Sequence, residues 1–396
     1  MQAPTQQIHH PYTPPAEFEA MPPGVYKAST VFFPTVQAMR ERQWMDKSAY
    51  TYGLHGTPTT FTLEERIATL EGGAHCVLAP SGLAALALVN QAFLSTGEGM
   101  LLPDNAYSPS KSLAEAEMQR WGIEHDVYDP MSAADLAQRI TPSTRLVWLE
   151  VPGSVTLEFP DVRAMVQVVA QANEVRRAQG QPCIITALDN TWGAGVAFCA
   201  FDLGVDVVMQ ALTKYPSGGA DVLMGSVVTR DPALHKALLL THMRLGLGVG
   251  ANDAELVLRG LPNMHLRYHA QDQSTRQLAQ WMRGQPHVAQ VFHPALPGSP
   301  GHEHWAATAN AAACLFSVVF KPEVSVAQAD AFCDRLKLFR IGYSWAGPMS
   351  LCVPYDIPTM RSRPWPHAPR LVRFAIGLET VDDLKADLAQ ALTALS

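Results

Sequence analysis

Between about Thr59 and Thr229 the chain alternates short, almost wholly apolar runs with longer segments of helical periodicity. The runs are Ala74 to Ala79, Met100 to Leu102, Ile123 to Tyr128, Leu146 to Leu149, Ile184 to Leu188, Val205 to Gln210 and Ser226 to Thr229. Such runs read as strands buried on both faces, and the helical segments between them read as crossovers. The pattern predicts an α/β fold with a mostly parallel sheet covered on two sides. Leu63, Ile67 and Leu70 mark one helical face, closed by Gly72 and Gly73, and Ser81-Gly82 opens a helix from Leu83 to Leu94.

The two ends of the chain read differently. The first fifty-odd residues carry Pro11, Pro14, Pro15, Pro22, Pro23 and Pro34 and no sustained period, which predicts an irregular arm resting on another surface such as a second subunit. After a long helical stretch, roughly Asp253 to Arg283, come a strand (Cys314 to Phe320) and a helix (Val326 to Leu336). A Pro-rich loop, a strand (Leu371 to Ile376) and a final helix follow, with Thr380 and Asp383 resembling a capping box that uses Asp in place of Glu. The expected division is an arm over 1–56, an α/β domain over 57–252 and a smaller C-terminal α+β domain over 253–396.

Composition narrows the class. With 396 residues, 47% of them hydrophobic and 16% charged, the chain can bury large cores and is not a disordered polymer. A net charge of −7 without a basic run argues against nucleic acid as a partner. Residues Met1 to His10 have neither a cationic nor an apolar segment of a secretory signal. The longest apolar stretch, Leu83 to Leu94, is interrupted by Asn90 and Gln91 and is too short to span a bilayer, so a cytoplasmic protein is expected. The six cysteines stand singly, without metal-ligand spacing, and read as buried thiols; no metal is expected.

The residues with chemical potential lie at predicted strand ends, where open α/β sheets place ligands. Asp189 ends one apolar run and Lys214 follows the next, 25 positions later. A lysine and a carboxylate so placed can face each other across a ring, as pyridoxal phosphate (PLP) requires for its Schiff base and its protonated pyridine nitrogen. A solvated lysine and an Asp capping a turn fit the spacing as well. Gly82 and Leu83 open a helix, whose N–H groups suit an anion such as a phosphate. Arg373 stands inside the apolar run Leu371 to Ile376, where a guanidinium needs an anion: a substrate carboxylate or a buried protein carboxylate.

Five strings then carry a resemblance: Tyr52 to Thr59 (YGLHGTPT), Leu70 to Gly73 (LEGG), Asp189 to Trp192 (DNTW), Ala211 to Tyr215 (ALTKY) and Tyr343 to Trp345 (YSW). In order along the chain they resemble the Cys/Met-metabolism family of PLP enzymes, and within it the members that cleave the carbon–sulfur bond of cystathionine by β-elimination. The resemblance implies the PLP-dependent transferase fold type I, like aspartate aminotransferase, in a homodimer or homotetramer with shared sites. It implies Lys214 as the Schiff-base lysine, Asp189 on the pyridine nitrogen, Gly82, Leu83 and Thr213 on the phosphate, and Tyr107 stacked on the ring. Read by itself, Tyr107 is a loop aromatic covering apolar surface. Tyr52 would reach phosphate and substrate from the neighbouring subunit, and Arg373, Ser344 and Trp345 would bind an amino-acid thioether. Two positions depart from the pattern: Leu54 where relatives carry a phosphate-binding Arg, and Ala211 where many carry Ser. Glu150-Val151-Pro152-Gly153-Ser154 and Trp192 favour β- over γ-elimination, with Trp192 and Trp345 expected to restrict the distal substrate chain. A non-catalytic protein on the same fold remains the alternative from another class, with Leu54 in its favour.

Overall fold

The computed structural model describes residues 2–17, 20–367 and 370–395. Its larger sheet has seven strands: β1 (His75–Ala79), β2 (Gly99–Pro103), β3 (Glu124–Tyr128), β4 (Thr144–Glu150), β5 (Ile185–Asp189), β6 (Val207–Ala211) and β7 (Gly225–Thr229). They are ordered β1-β7-β6-β5-β4-β2-β3. The β3, β2, β4, β5 and β6 strands run parallel, and β7 lies antiparallel between β1 and β6. Each predicted apolar run holds one of these strands. Alternate residues of a strand enter separate apolar clusters: Val147, Leu149, Leu188 and Val208 on one face, and Leu146, Trp148, Ala187 and Val207 on the other. That two-sided burial is why the strands read as continuous hydrophobic runs. At the edge, β3 keeps Glu124 and Asp126 in water.

Four helices flank the start of this sheet: α1 (Ala3–Ile8), α2 (Val36–Arg40), α3 (Pro58–Glu71) and α4 (Gly82–Phe93). Thr57 and Thr60 form a reciprocal capping box at α3, with Pro58 in its first turn, and Gly72 ends it in the left-handed conformation at φ 74°. Ser81 caps α4 by accepting the Ala84 N–H at 3.0 Å. Apart from α1, α2 and one short 3-10 turn, the described part of the arm is irregular. It is tied down at Thr59, whose hydroxyl accepts from Tyr26 N at 2.8 Å and donates to Gly24 O at 3.0 Å.

The smaller sheet is β8 (Val288–Phe292), β9 (Leu315–Phe320), β10 (Arg340–Ile341), β11 (Leu351–Asp356) and β12 (Arg370–Ala375), ordered β10-β11-β12-β9-β8. Only β9 and β12 were expected. The segment holding β11 reads as loop because Pro354 breaks its pattern. The proline is tolerated because β10 pairs only with Leu351 and Cys352, so the outer side of β11 is an open edge at Pro354. The long helical stretch is two helices, Ala251–Gly260 and Met264–Arg283, parted by a 3-10 turn at Leu261–Asn263 that contains Pro262. Thr380 and Asp383 are not a capping box: the Thr380 hydroxyl donates to the Asp383 carboxylate at 2.6 Å, and neither side chain caps the backbone.

Candidate active site

Parallel strands deliver their last residues to one edge, and β4, β5 and β6 end there on Glu150, Asp189 and Ala211. The Asp189 Oδ1 accepts from the Thr191 hydroxyl at 2.5 Å and the Thr191 N–H at 2.9 Å. That hydroxyl also accepts the Ala211 N–H at 2.9 Å, so the ends of β5 and β6 are laced through Thr191. Burial pushes the Asp189 carboxyl up, against the lowering pull of Thr191 and of Lys214.

Lys214 follows β6. Its Nζ donates to Ser344 Oγ at 2.7 Å and lies 5.5 Å from the centre of the Trp345 ring. Burial first, and the Arg373 charge second, lower its amine to about 8. The lysine therefore holds a sizeable neutral fraction near neutral pH, which a free amine in water does not. Ser344 and Ala346 adopt φ of 99° and 63°, a left-handed conformation unusual for residues with a Cβ. The buried Gln271 braces their loop by donating to Gly347 O at 2.9 Å and Ile376 O at 3.0 Å. Backbone strain is thus spent on aiming the Ser344 hydroxyl at Lys214.

Arg373 is buried on β12 and no carboxylate among the described residues pairs with it. It donates to Ser154 O at 3.1 Å and its guanidinium lies 5.2 Å from the Tyr355 ring centre. Those contacts hold the fork but leave its charge uncompensated, so of the two anions open for it the protein carboxylate is ruled out among these residues. Tyr107 hangs half-exposed over the cleft, its N–H bonded to Glu150 Oε2 at 2.8 Å. Burial, Asp189 and Glu150 raise its phenol. Burial and the neighbouring Asp189 push Glu150 well above the usual carboxylate range.

A strap from the smaller sheet fastens this cleft. Arg361 bridges Asp104 at 3.2 Å and Glu158 at 3.0 Å. Ser362 donates to Asp104 from both its backbone, at 2.9 Å, and its hydroxyl, at 2.7 Å. Asn105, two residues before Tyr107, donates to Glu158 at 2.8 Å.

PLP brings a phosphate, a ring nitrogen and an aldehyde, and the residues present fit all three. The Gly82 and Leu83 N–H groups at the start of α4 have no acceptor among the described residues. Gly82 is also where the helix meets the strand end: a Cβ there would lie 2.8 Å from the Ala211 Cβ. Among the described residues the hydrogen bonds to the Asp189 carboxylate fall on Oδ1, leaving Oδ2 open, and Lys214 offers its amine.

Two expectations are modified. The Thr213 hydroxyl already donates to Met224 O at 3.3 Å and accepts from Met224 N at 3.2 Å, so it must give up a bond to serve a phosphate. Trp192 is 4% exposed with its ring 6.1 Å from Phe159 in the core, so it is not a wall of the cleft; Trp345 is. Tyr52, expected to serve a neighbouring subunit, is 45% exposed on the arm, bridged to Thr30 and edge-on to His55. Leu54 packs toward Gly248. Thr191, Glu150 and Tyr355 were missed. Thr191 had a signal, a hydroxyl two residues after an Asp, whereas Glu150 and Tyr355 reach the cleft only through strand register.

A family model described as Cys/Met metabolism PLP-dependent enzyme matches residues 4–393. The chain is 38% identical over 377 residues to a putative cystathionine beta-lyase of Rhizobium johnstonii, covering 94% of this chain and 91% of that protein. It is 36% identical over 370 residues to a cystathionine beta-lyase of Escherichia coli, covering 92% and 91%. Among solved structures, it matches cystathionine gamma synthase from Xanthomonas oryzae pv. oryzae with a TM-score of 0.88 and 27% identity, covering 100% and 98%. The fold is the PLP-dependent fold type I, and the chain belongs to the Cys/Met metabolism family of PLP-dependent enzymes.

Proposed function

We propose that this enzyme is a carbon–sulfur β-lyase that converts cystathionine and water to homocysteine, pyruvate and ammonia. The observation that carries the reading is the buried, carboxylate-free Arg373 beside a Lys214 amine lowered to about 8. Bound PLP supplies an electron sink; the chain's own residues do the rest. Arg373, with the Ser344 hydroxyl, takes the substrate carboxylate, and a guanidinium fork suits that group in two-point contact. The Lys214 amine, desolvated and lowered to about 8, removes the proton from Cα in its neutral form. The Cβ–S bond then breaks, sulfur keeps the electron pair and leaves as a thiol once protonated, and the three-carbon remainder is hydrolysed.

Asp189 would hold a proton on the ring nitrogen, Tyr107 would cover the ring, and Gly82 and Leu83 would take the phosphate, with Thr213 in reserve. Trp345, rigid beside Lys214, limits the room in which a lysine could remove a second proton from Cβ, as γ-elimination requires. Tyr52 would complete the site of a second copy in a homodimer or homotetramer, which its exposed place on the arm supports. The division into an arm (1–56), a cofactor domain (57–252) and a smaller domain (253–396) follows from the same reading. A cytoplasmic setting suits six cysteines that are all free thiols. No described helix is long and apolar enough to cross a membrane.

Borohydride reduction of the PLP-loaded protein followed by peptide mapping tests the assignment. The pyridoxyl group should sit on Lys214, and Lys214→Ala should lose both the adduct and pyruvate formation from cystathionine. An adduct on a different lysine would refute it.

A further inference from the structure

Glu71, the last residue of α3, is 0% exposed and faces the turn after β5. Its Oε2 accepts from Asn190 Nδ2 at 2.7 Å. That one hydrogen bond favours a charge on it, and burial and the neighbouring Asp189 oppose one. It sits at the negative end of a helix dipole. The titratable groups facing it are Asp189 on β5, Cys76 on β1 and Cys199, whose thiol donates to the Glu71 carbonyl at 3.3 Å. Arg230 donates to Gly72 O at 2.7 Å, but its guanidinium lies over the Phe201 ring at 4.9 Å and 3.6 Å from Asp202. No described cation pairs with Glu71.

Two polar atoms of this pair are buried without a partner among the described residues: Glu71 Oε1 and Asn190 Oδ1. A carboxylate cannot satisfy both, because each is then an acceptor. One proton on Glu71 Oε1, donated to Asn190 Oδ1, satisfies both and closes a ring of two hydrogen bonds. We propose that Glu71 is a neutral positioning residue, joined to Asn190 as a carboxyl–carboxamide pair that fixes the turn presenting Asp189 to the cofactor. The turn is built for it. The Asn190 backbone carbonyl accepts the Ala194 N–H at 2.7 Å. A Cβ at Gly193 would fall 2.3 Å from Asn190 Oδ1, and one at Gly195 would fall 2.6 Å from Leu70 O. Consistent with the pair, burial pushes the Glu71 carboxyl up to about 8. The positioning role rests on the reading of Asp189 as the ring-nitrogen partner; the protonated pair does not.

Two variants separate these. In the unfolded chain the Glu71 carboxyl ionises with an ordinary pKa of about 4.3, while the folded chain keeps its proton to about 8. Stability of the wild type should therefore fall with rising pH across that interval and then level, relative to a variant with no proton to lose there. Glu71→Gln can make both hydrogen bonds at any pH. In the cofactor-free protein its Tm should gain on the wild type steadily from pH 5 to pH 8; a constant Tm difference overturns the neutral pair. Glu71→Gln should also keep PLP affinity within about threefold, while Glu71→Leu should weaken it about tenfold, the weight of one hydrogen bond. Equal affinity in the Leu and Gln variants overturns the positioning role. Asp189→Ala, measured alongside, isolates the underlying reading: unaltered PLP affinity and absorbance there would remove Asp189, and the positioning role with it, while the pH-dependent Tm difference still reports the pair.

Discussion

Arg373 makes its most informative contacts with groups that carry no negative charge, the Ser154 carbonyl and the Tyr355 ring. A cation held this way is prepared for an anion from outside. Arg373→Lys keeps the charge but loses the fork, and should raise KM by roughly tenfold or more with a smaller change in kcat, because carboxylate binding is shared by ground and transition states. A steady-state comparison checks it; an unchanged KM would free the clamp from its role. Asp189 and Arg373 were legible in the sequence because one ends and the other interrupts an apolar run, whereas Lys214, three residues past β6, stood out only with the family resemblance. Thr191 was legible in principle. Tyr355 and Glu150 were not, since their neighbours come from strand register: Glu150 beside Asp189 across β4 and β5, and Tyr355 two residues along from Val353, the register partner of Arg373. Glu71 had one overlooked mark, an acidic residue closing a helix where the dipole disfavours it.

The seven strands of the larger sheet were readable because both faces are buried, so hydrophobicity alone reports them. The smaller sheet resisted because its edge is broken by Pro354 and shortened to two residues at β10. The strap beyond β11 was likewise invisible, since its Arg361 contacts lie 257 and 203 residues away in sequence, on Asp104 and Glu158. Arg361 and Asp104 have side chains only 8% and 1% exposed. Removing one member of a buried pair leaves its partner's charge uncompensated and typically costs about 3–5 kcal/mol. Arg361→Ala should lower stability by about that much in urea unfolding, and should loosen the Asn105–Tyr107 loop. A loss below about 1 kcal/mol, the scale of an exposed pair, would mean the strap does not hold the two sheets.

At the scale of the whole molecule, the arm carries Phe32 at 91% exposure and Tyr52 at 45%. If Tyr52 serves a partner's site, two inactive chains should complement each other. Tyr52→Ala and Lys214→Ala, refolded together, should regain about a quarter of wild-type activity, because half of randomly paired dimers are mixed and each mixed dimer has one intact site. No recovery in verified mixed dimers would place Tyr52 outside the site. The fold is shared with γ-acting proteins, and Trp345 beside Lys214 is the feature of this cleft that the proposal sets against γ-elimination. The most direct measurement is the identity of the thiol and oxo-acid released from cystathionine by the PLP-loaded enzyme, read by mass spectrometry. Homocysteine and pyruvate are the predicted products, and cysteine with 2-oxobutyrate as the dominant pair would contradict the account.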